Sequence, residues 1–420
     1  MNRKTETLVI GAGAIGICCA FYLKQLGKKV TVVEKGDICS GSSYGNAGLI
    51  VPSHSIPLAA PGVITQGLKW MIDPESPFYI KPRIDRQFLS WLWKFRGACT
   101  ETNVSRALPV MSKLNADSLE LFDELAALEG VDFNLEKKGV VQIFLTRKEF
   151  DKGVKDVQRL KEYGVPSRVL EKNELAPYSP KNRSNGVGGI FFPQDAQLIP
   201  DRLVHQLAKH VEGNGVDLLT STEVLGFGIS GRRVQTAQTT RGDIEAEEVI
   251  VAGGSWSGDL TRELNIKLPL EPAKGYSVTF RRPPEYPDIP VMLDEAKVVL
   301  TPMDDMLRIA GTLELAGFDM SINNRRLQAI LKAVRTYFPD FNPADLELIE
   351  IWRGLRPCSP DGLPYIGRLR RYDNVIIATG HGMKGISLAP ITGKIVSRMV
   401  ANEQLQVDMT ALSVERFGHY

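Results

Sequence analysis

"ETLVIGAGAIGICCAFYLKQLGKKVTVVEK", residues 6–35, reads as a strand, a glycine turn, a helix and a second strand. Leu8-Val9-Ile10 is a short apolar strand. Gly11-x-Gly13-x-x-Gly16 forms the turn, apolar residues at helical spacing run from Ile17 to Leu26, and Gly27 ends the helix. Val30 to Val33 is β-branched and closes on Glu34. Each glycine answers a physical need: Gly11 allows a tight turn, Gly13 lets backbone approach a pyrophosphate, and Gly16 lets helix pack on strand. The helix start, at Ala14 and Ile15, offers unpaired N–H groups and a partial positive charge to phosphates. Glu34 stands where a carboxylate accepts from ribose hydroxyls and repels a 2′-phosphate, with Lys35 beside it. Both strands, the helix and the acid are in place, so the turn reads as dinucleotide-binding. It does not separate NAD from FAD.

The following stretch, "CSGSSYGNAGLIVPSH", supplies Ser42 and Ser43 as donors to phosphate or ribityl oxygens. Asn46, Ala47, Gly48 and Leu49 are small or apolar enough for a flat ring to lie against backbone. Far away, "NVIIATGHGMKGISLAPITGKIVSRMV" (374–400) repeats the pattern of strand, glycine turn and helix. Gly380, His381, Gly382, Met383, Lys384 and Gly385 make its turn. One nucleotide needs a single such unit. A flavin dinucleotide uses two, one for the pyrophosphate and one whose positive helix end faces the ring. His381 reads as a backbone-positioning or ring-edge residue in preference to a base. "EEVIVAGGSWSGDL" (247–260) is a third strand ending at Gly253 and Gly254, followed by Trp256; "GVDLLTSTEVLGF" (215–227) is a strand pair placing Val224 near the adenine end.

Length and composition set the outer bounds. A chain of 420 residues is too long for one simple core, so two domains are expected. A net charge of +2 without a polybasic block argues against nucleic acid as a partner. The five cysteines are odd in number and form no C-x-x-C pair, which points to free thiols and no zinc site. No His/Cys/Asp/Glu pattern calls for a metal. The early positive charge before an apolar run imitates a signal peptide, but the glycine spacing inside the run identifies a nucleotide turn. No stretch is apolar enough to span a bilayer. "DRQFLSWLWKFRGACTE" (85–101) has the aromatic and basic content of an interfacial helix; a core helix with a basic rim is the preferred reading.

Taken together, the N-terminal fingerprint with Glu34, "GNAG" (45–48), "APGV" (60–63), "LKWM" (68–71), "KGYS" (274–277), "WRGLRPCSPDGLPYIG" (352–367) and "ATGHG" (378–382) resemble one family over nearly the whole chain. It is the D-amino acid dehydrogenase group of the FAD-dependent amino acid and amine oxidoreductases, which also holds glycine and sarcosine oxidases. The resemblance implies an α/β fold: a Rossmann-like FAD domain of the glutathione reductase type, formed by 1–80, 195–268 and 351–420, and an α+β substrate domain with an antiparallel sheet, formed by 81–194 and 269–350. It implies that Arg356 binds the substrate carboxylate; a bidentate fork fixes orientation as well as adding energy. Arg353, three residues earlier, is expected to point elsewhere. His54 stands where the dehydrogenases have tyrosine and Ile386 where they have an aromatic residue. His54 and Tyr276 are candidates for pocket hydrogen bonds, Tyr276 equally for a core aromatic. In sarcosine-type relatives a cysteine links to the flavin; Gly354 occupies that place here, so FAD is expected to be non-covalent.

The implied reaction is oxidative deamination of a D-amino acid to a 2-oxo acid and ammonia, with electrons passed to a quinone or other respiratory acceptor. A D-proline or hydroxy-D-proline dehydrogenase and a glycine- or sarcosine-type oxidase are the alternatives on the same fold. A non-catalytic flavoprotein subunit is the alternative of another class. The expected location is cytoplasmic, or peripheral on the inner face of the cell membrane.

Overall fold

The computed structural model describes residues 3–405 and 407–418, and two large sheets organise them. In the first sheet five strands run parallel in the order Asp217–Leu219, Val30–Val33, Arg3–Ile10, Gly242–Val251 and Val375–Thr379. Val30–Val33 and Val375–Thr379 are buried along their whole length, as expected of parallel strands covered on both faces. The hairpin Val224–Ser230 and Arg233–Thr239 joins one side, and Tyr365–Arg368 lies antiparallel on Val375–Thr379. Three helices pack together beside this sheet: Ala14–Gln25, Pro200–Gly213 and Ala389–Val400. Pro390 sits in the first turn of the last, where its missing N–H costs nothing. The two helices meet closely enough that a Cβ on Gly393 would fall 2.6 Å from the Cys18 carbonyl carbon. Cys18 and Cys19 are core residues there, and burial pushes the Cys19 thiol up to about 12.

The second sheet has nine strands and is mostly antiparallel. Its main path runs Leu348–Cys358, Glu271–Arg281, Met306–Leu315, Val298–Met303 and Val291–Leu293, then Val140–Phe144, Gly188–Phe192 and Arg168–Glu171. The helix Asn324–Tyr337 packs Leu327, Ile330 and Val334 into the core of this half. Two expected boundaries fall differently from the strands. Leu348–Cys358 is one continuous strand of the second sheet, so a division at 350/351 would cut it. Phe78–Ile80 pairs with Met306–Leu315, so the second sheet already begins before residue 81. Register explains the first case: Gly354, Leu355 and Arg356 pair one by one with Gly275, Lys274 and Ala273.

The helix Arg86–Ala98 divides its aromatics. Phe88 and Trp91 are buried, and the Trp91 Nε1 donates to the Cys358 carbonyl at 2.9 Å. Leu89 and Trp93 face outward, Trp93 being 72% exposed. No helix among the described residues is long and apolar enough to cross a membrane.

Candidate active site

Between the two sheets lies a cavity of about 1340 Å³. Of the residues expected from the sequence to bind cofactor or substrate, Gly16 and Gly48 stand behind its wall; the others border it, from Gly11 to Gly385. The fold therefore gathers both glycine turns and the GLRP stretch around one space.

At the first turn the wall is backbone. Gly11 has φ +111°, and a Cβ there would fall 2.5 Å from the Ala252 carbonyl oxygen. A Cβ on Gly16 would lie 1.8 Å from the Gly11 oxygen, so helix and turn meet without any side chain between them. Ser43 Oγ accepts from Ala14 N at 3.1 Å, and Glu34 accepts from Ala12 N at 2.9 Å and from Gly36 N at 3.0 Å. Each carboxylate oxygen keeps acceptor capacity for a hydroxyl in the cavity. Lys35 Nζ lies 3.6 Å from the Trp256 ring centroid, a cation–π contact that orients both. Val224, Gly253 and Gly254 complete this end. These residues fit a dinucleotide: a glycine cradle that a Cβ would fill, a helix N-terminus with free N–H groups, and an acid turned toward it.

The opposite end is made of side chains. Strand alternation sends Arg353 and Arg356 to opposite faces. Arg353 Nε donates to the Met320 carbonyl at 2.8 Å, outside the cavity. Arg356 borders the cavity, and its Nη1 donates to the Thr312 carbonyl at 2.7 Å. No ion pair engages it among the described residues, and burial depresses its pKa. Two features hold this fork. Its guanidinium lies flat over Gly275, where a Cβ would come within 2.3 Å of Cζ. The pairing of Glu271–Arg281 with Met306–Leu315 slips between Lys274 and Tyr276, a bulge that aims the Thr312 carbonyl at the arginine. Thr312 sits there at φ +65°, a strained conformation for a β-branched residue. Trp352 lies against Gly45 and Gly354, where a Cβ would meet its ring at 2.1 and 2.0 Å. None of Gly275, Thr312 or Trp352 is signalled as a site residue by the sequence. A bulge and a cross-strand close approach are products of register.

Three other side chains differ in standing. Tyr276 borders the cavity, but its hydroxyl donates to Glu314 at 3.1 Å and accepts from Asn323 N at 3.2 Å. Glu314 in turn pairs with Lys274 and Arg326, so Tyr276 belongs to a buried ionic cluster and not to the pocket's hydrogen bonds. His381 is buried and its Nε2 meets Thr392 Oγ1 at 3.0 Å. Burial pushes its pKa down to about 3, which keeps the ring neutral. His54 borders the cavity with burial, then Lys384 and Lys297, holding its pKa near 4. Lys384 Nζ is itself buried without a hydrogen-bond partner, and burial lowers it to about 8. Such an orphaned ammonium suits an anionic or carbonyl edge of a bound group. Cys358 borders the cavity too, with its thiol pushed up to about 12 by burial.

Arg308 links the two halves. It is buried on the second sheet, bonds Thr279 Oγ1, and donates to the carbonyls of Tyr44 and Asn46 at 3.1 and 3.0 Å. The loop carrying Ser42, Ser43 and Asn46 is thus held from the second sheet, a tie the sequence does not announce.

Comparison with known proteins bears on the family and the fold. The family described as FAD dependent oxidoreductase matches residues 6–399. A D-amino acid dehydrogenase of Granulibacter bethesdensis is 32% identical over 419 residues, covering 98% of this chain and 100% of that one. A D-amino acid dehydrogenase of Bradyrhizobium diazoefficiens is 32% identical over 424 residues, covering 99% of each. Among solved structures, glycine oxidase from Geobacillus kaustophilus superimposes with a TM-score of 0.80 at 24% identity over the full length of both chains. L-proline dehydrogenase from P. horikoshii does so with 0.76 at 20% identity, covering 99% of this chain and 98% of that one.

Proposed function

The chain belongs to the family of FAD-dependent oxidoreductases, and from that premise we propose that it is a D-amino acid dehydrogenase, converting D-amino acids to 2-oxo acids and ammonia. The observation that carries the reading is Arg356. It is a cavity-lining guanidinium with a carbonyl at its back and no carboxylate among the described residues to neutralise it. A half-buried cation of this kind, with no counter-ion among the described residues, favours a carboxylate ligand.

Bound FAD supplies an acceptor for the hydride leaving the substrate's Cα. The chain's residues do the rest. The Gly11–Gly16 turn, Ser43 and Glu34 would hold the nucleotide end, and the 380–385 turn with Lys384 would face the polar edge of the ring. Arg356 takes the substrate carboxylate in two parallel bonds, so the amino acid binds in one orientation. Thr312 and Gly275 keep the fork in plane. Ile386 and His54 shape the space around the amine and side chain, which leaves D-proline and hydroxylated D-proline inside the proposed substrate range. Cofactor attachment is non-covalent: the nearby thiol of Cys358 is held protonated and is a weak nucleophile.

The electron acceptor we assign is a quinone. Leu68 and Met71 on the helix Val63–Ile72 and Leu89 and Trp93 on Arg86–Ala98 are exposed, with Lys69, Lys94 and Arg96 among them. An apolar surface edged by basic residues suits peripheral contact with an anionic bilayer.

The test is anaerobic titration of the purified yellow protein. D-amino acids should bleach the flavin and L-enantiomers should not; bleaching by glycine or sarcosine alone would replace the reading with an oxidase. Reoxidation by a quinone should outrun reoxidation by air. Acid should release FAD into the supernatant.

A further inference from the structure

A buried carboxylate with no cation beside it stands behind His54. Asp195 is 0% exposed and has no ion pair among the described residues. Both its oxygens are used by one residue: Ser53 N donates to Oδ1 at 3.1 Å, and Ser53 Oγ donates to Oδ2 at 2.5 Å. Ser53 Oγ also meets His54 Nδ1 at 2.8 Å. His54 borders the cavity that holds Arg356. An unbroken chain of hydrogen bonds therefore leads from the substrate space to a fully buried acid.

The protons in this chain are determined by counting. An ionised carboxylate only accepts, so the single Ser53 hydroxyl proton goes to Asp195. Ser53 Oγ must then accept from His54, which places the imidazole proton on Nδ1. His54 Nε2 is left as a bare acceptor, and none of the described residues donates to it. We propose that His54, Ser53 and Asp195 form a proton relay: His54 Nε2 takes the ammonium proton of the bound amino acid and Asp195 stores it. The donor's identity rests on the proposed function; the relay rests on the geometry alone.

The transfer balances without any electron change. The substrate N–H bond breaks as Nε2–H forms. The Nδ1 proton passes to Ser53 Oγ, whose own proton passes to Asp195 Oδ2. Afterwards Asp195 donates to Ser53, Ser53 donates to Nδ1, and Nε2 carries the proton, so every member stays hydrogen-bonded in both states. The reaction needs this step, because an ammonium has no lone pair to assist departure of the Cα hydride. The surroundings set the direction. Lys384 and Lys297 bear on His54, and Arg356 lines the same cavity, so a charge lasting on the imidazole is disfavoured. Burial raises Asp195 to about 7 against the pull of its two Ser53 bonds, so the buried acid is the better resting place for the proton.

A purely structural role for Asp195, tying down the short turn Pro52–His54, predicts a different outcome. Asp195→Asn retains an acceptor for Ser53 N, while its amide donates to Ser53 Oγ. Ser53 must then donate to Nδ1, and His54 becomes the Nε2–H tautomer. Long-range proton–nitrogen correlation spectra of the flavin-loaded resting protein read this directly among its 5 histidines, with His54→Gln providing the assignment. We expect Nδ1–H in the wild type and Nε2–H in Asp195→Asn. With a D-amino acid as substrate, kcat/KM should show an ascending limb near pH 7 that is lost in Asp195→Asn and in Ser53→Ala. Activity at pH 7 should fall at least tenfold, mostly in kcat, in flavin-replete protein. An Nε2–H wild type, or an unmoved tautomer and pH profile in both variants, overturns the relay. If no amino acid reduces the flavin, the proposed function fails, while the tautomer exchange still decides the relay's geometry. Should Asp195→Asn not fold, Ser53→Ala cuts the same chain.

Discussion

Around Gly11 the cavity wall is main chain: N–H groups, carbonyls and the absence of side chains. Around Arg356 it is a side chain held flat on a bulged antiparallel sheet, with Gly275 beneath and the Thr312 carbonyl behind. The first wall is built from neighbours in sequence and grips a group common to many ligands. The second is assembled from three strands of separate origin and, in the proposed function, reads one functional group of one substrate. Damage to the first should therefore show in cofactor retention, and damage to the second in turnover by protein that stays yellow.

The sharpest test of that contrast is Arg356→Ala. It should leave FAD bound and reduce kcat/KM by roughly two to four decades, the kinetic equivalent of about 3–5 kcal/mol for stripping a buried carboxylate of its partner. Arg356→Lys should recover only part of the loss, since an ammonium has no planar fork. Arg353→Ala should lower stability and leave the Michaelis constant near wild type; a strong rise there, with Arg356→Ala silent, would exchange the roles of the two arginines.

Asp195 supplies a second, pH-dependent contrast. Its folded pKa of about 7 stands above its ordinary 3.8, so the stability it contributes is complete below the lower value and is lost as pH rises through the higher. At about 1.4 kcal/mol per pKa unit the loss is at most ~4 kcal/mol. Thermal unfolding of Asp195→Asn compared with wild type should therefore improve between pH 5 and pH 8. A difference that is flat with pH would show that the acid is already ionised without penalty.

Gly275→Ala probes the same wall without touching the arginine. The added methyl displaces the guanidinium, an overpacking cost of ~1–3 kcal/mol, and should appear as a raised Michaelis constant in flavin-loaded protein. The smallest effect is expected at the other wall: Glu34→Ala should weaken FAD binding by ~1–2 kcal/mol, the value of lost charge-assisted hydrogen bonds, and leave substrate preference unchanged once FAD is saturating.

The same contrast explains what could be read in advance. The glycine turns, Glu34 and the small residues at 46–48 are legible because each is required by backbone geometry that any dinucleotide imposes. The interest of Arg356 is legible through its GLRP context, and the fold puts it on the cavity wall. Thr312, Gly275 and Arg308 are not, because their roles arise from register between strands far apart in the chain. Tyr276 stays open between pocket and core for the same reason: its neighbours in sequence say nothing of Glu314, which accepts from its hydroxyl. Asp195 lies in "FFPQDAQLIP", where no spacing relates it to Ser53. Domain limits blur because a single strand, Leu348–Cys358, carries Arg356 and ends beside the glycine turn at His381.

The parallel sheet has a consequence for how the protein is made. Arg3–Ile10 finds its partner in Gly242–Val251, which waits in turn for Val375–Thr379. At about 5–20 residues per second, the first strand has only Val30–Val33 beside it, and its other edge stays unpaired for roughly 12 to 50 s before Gly242–Val251 has been synthesised. During that interval the glycine turn is held by two strands only, and the ribosome-bound chain presents the far edge of Arg3–Ile10 to its surroundings. A product truncated before Val375 would lack one parallel partner of Gly242–Val251, a vulnerability that follows from where one strand is placed in the sequence.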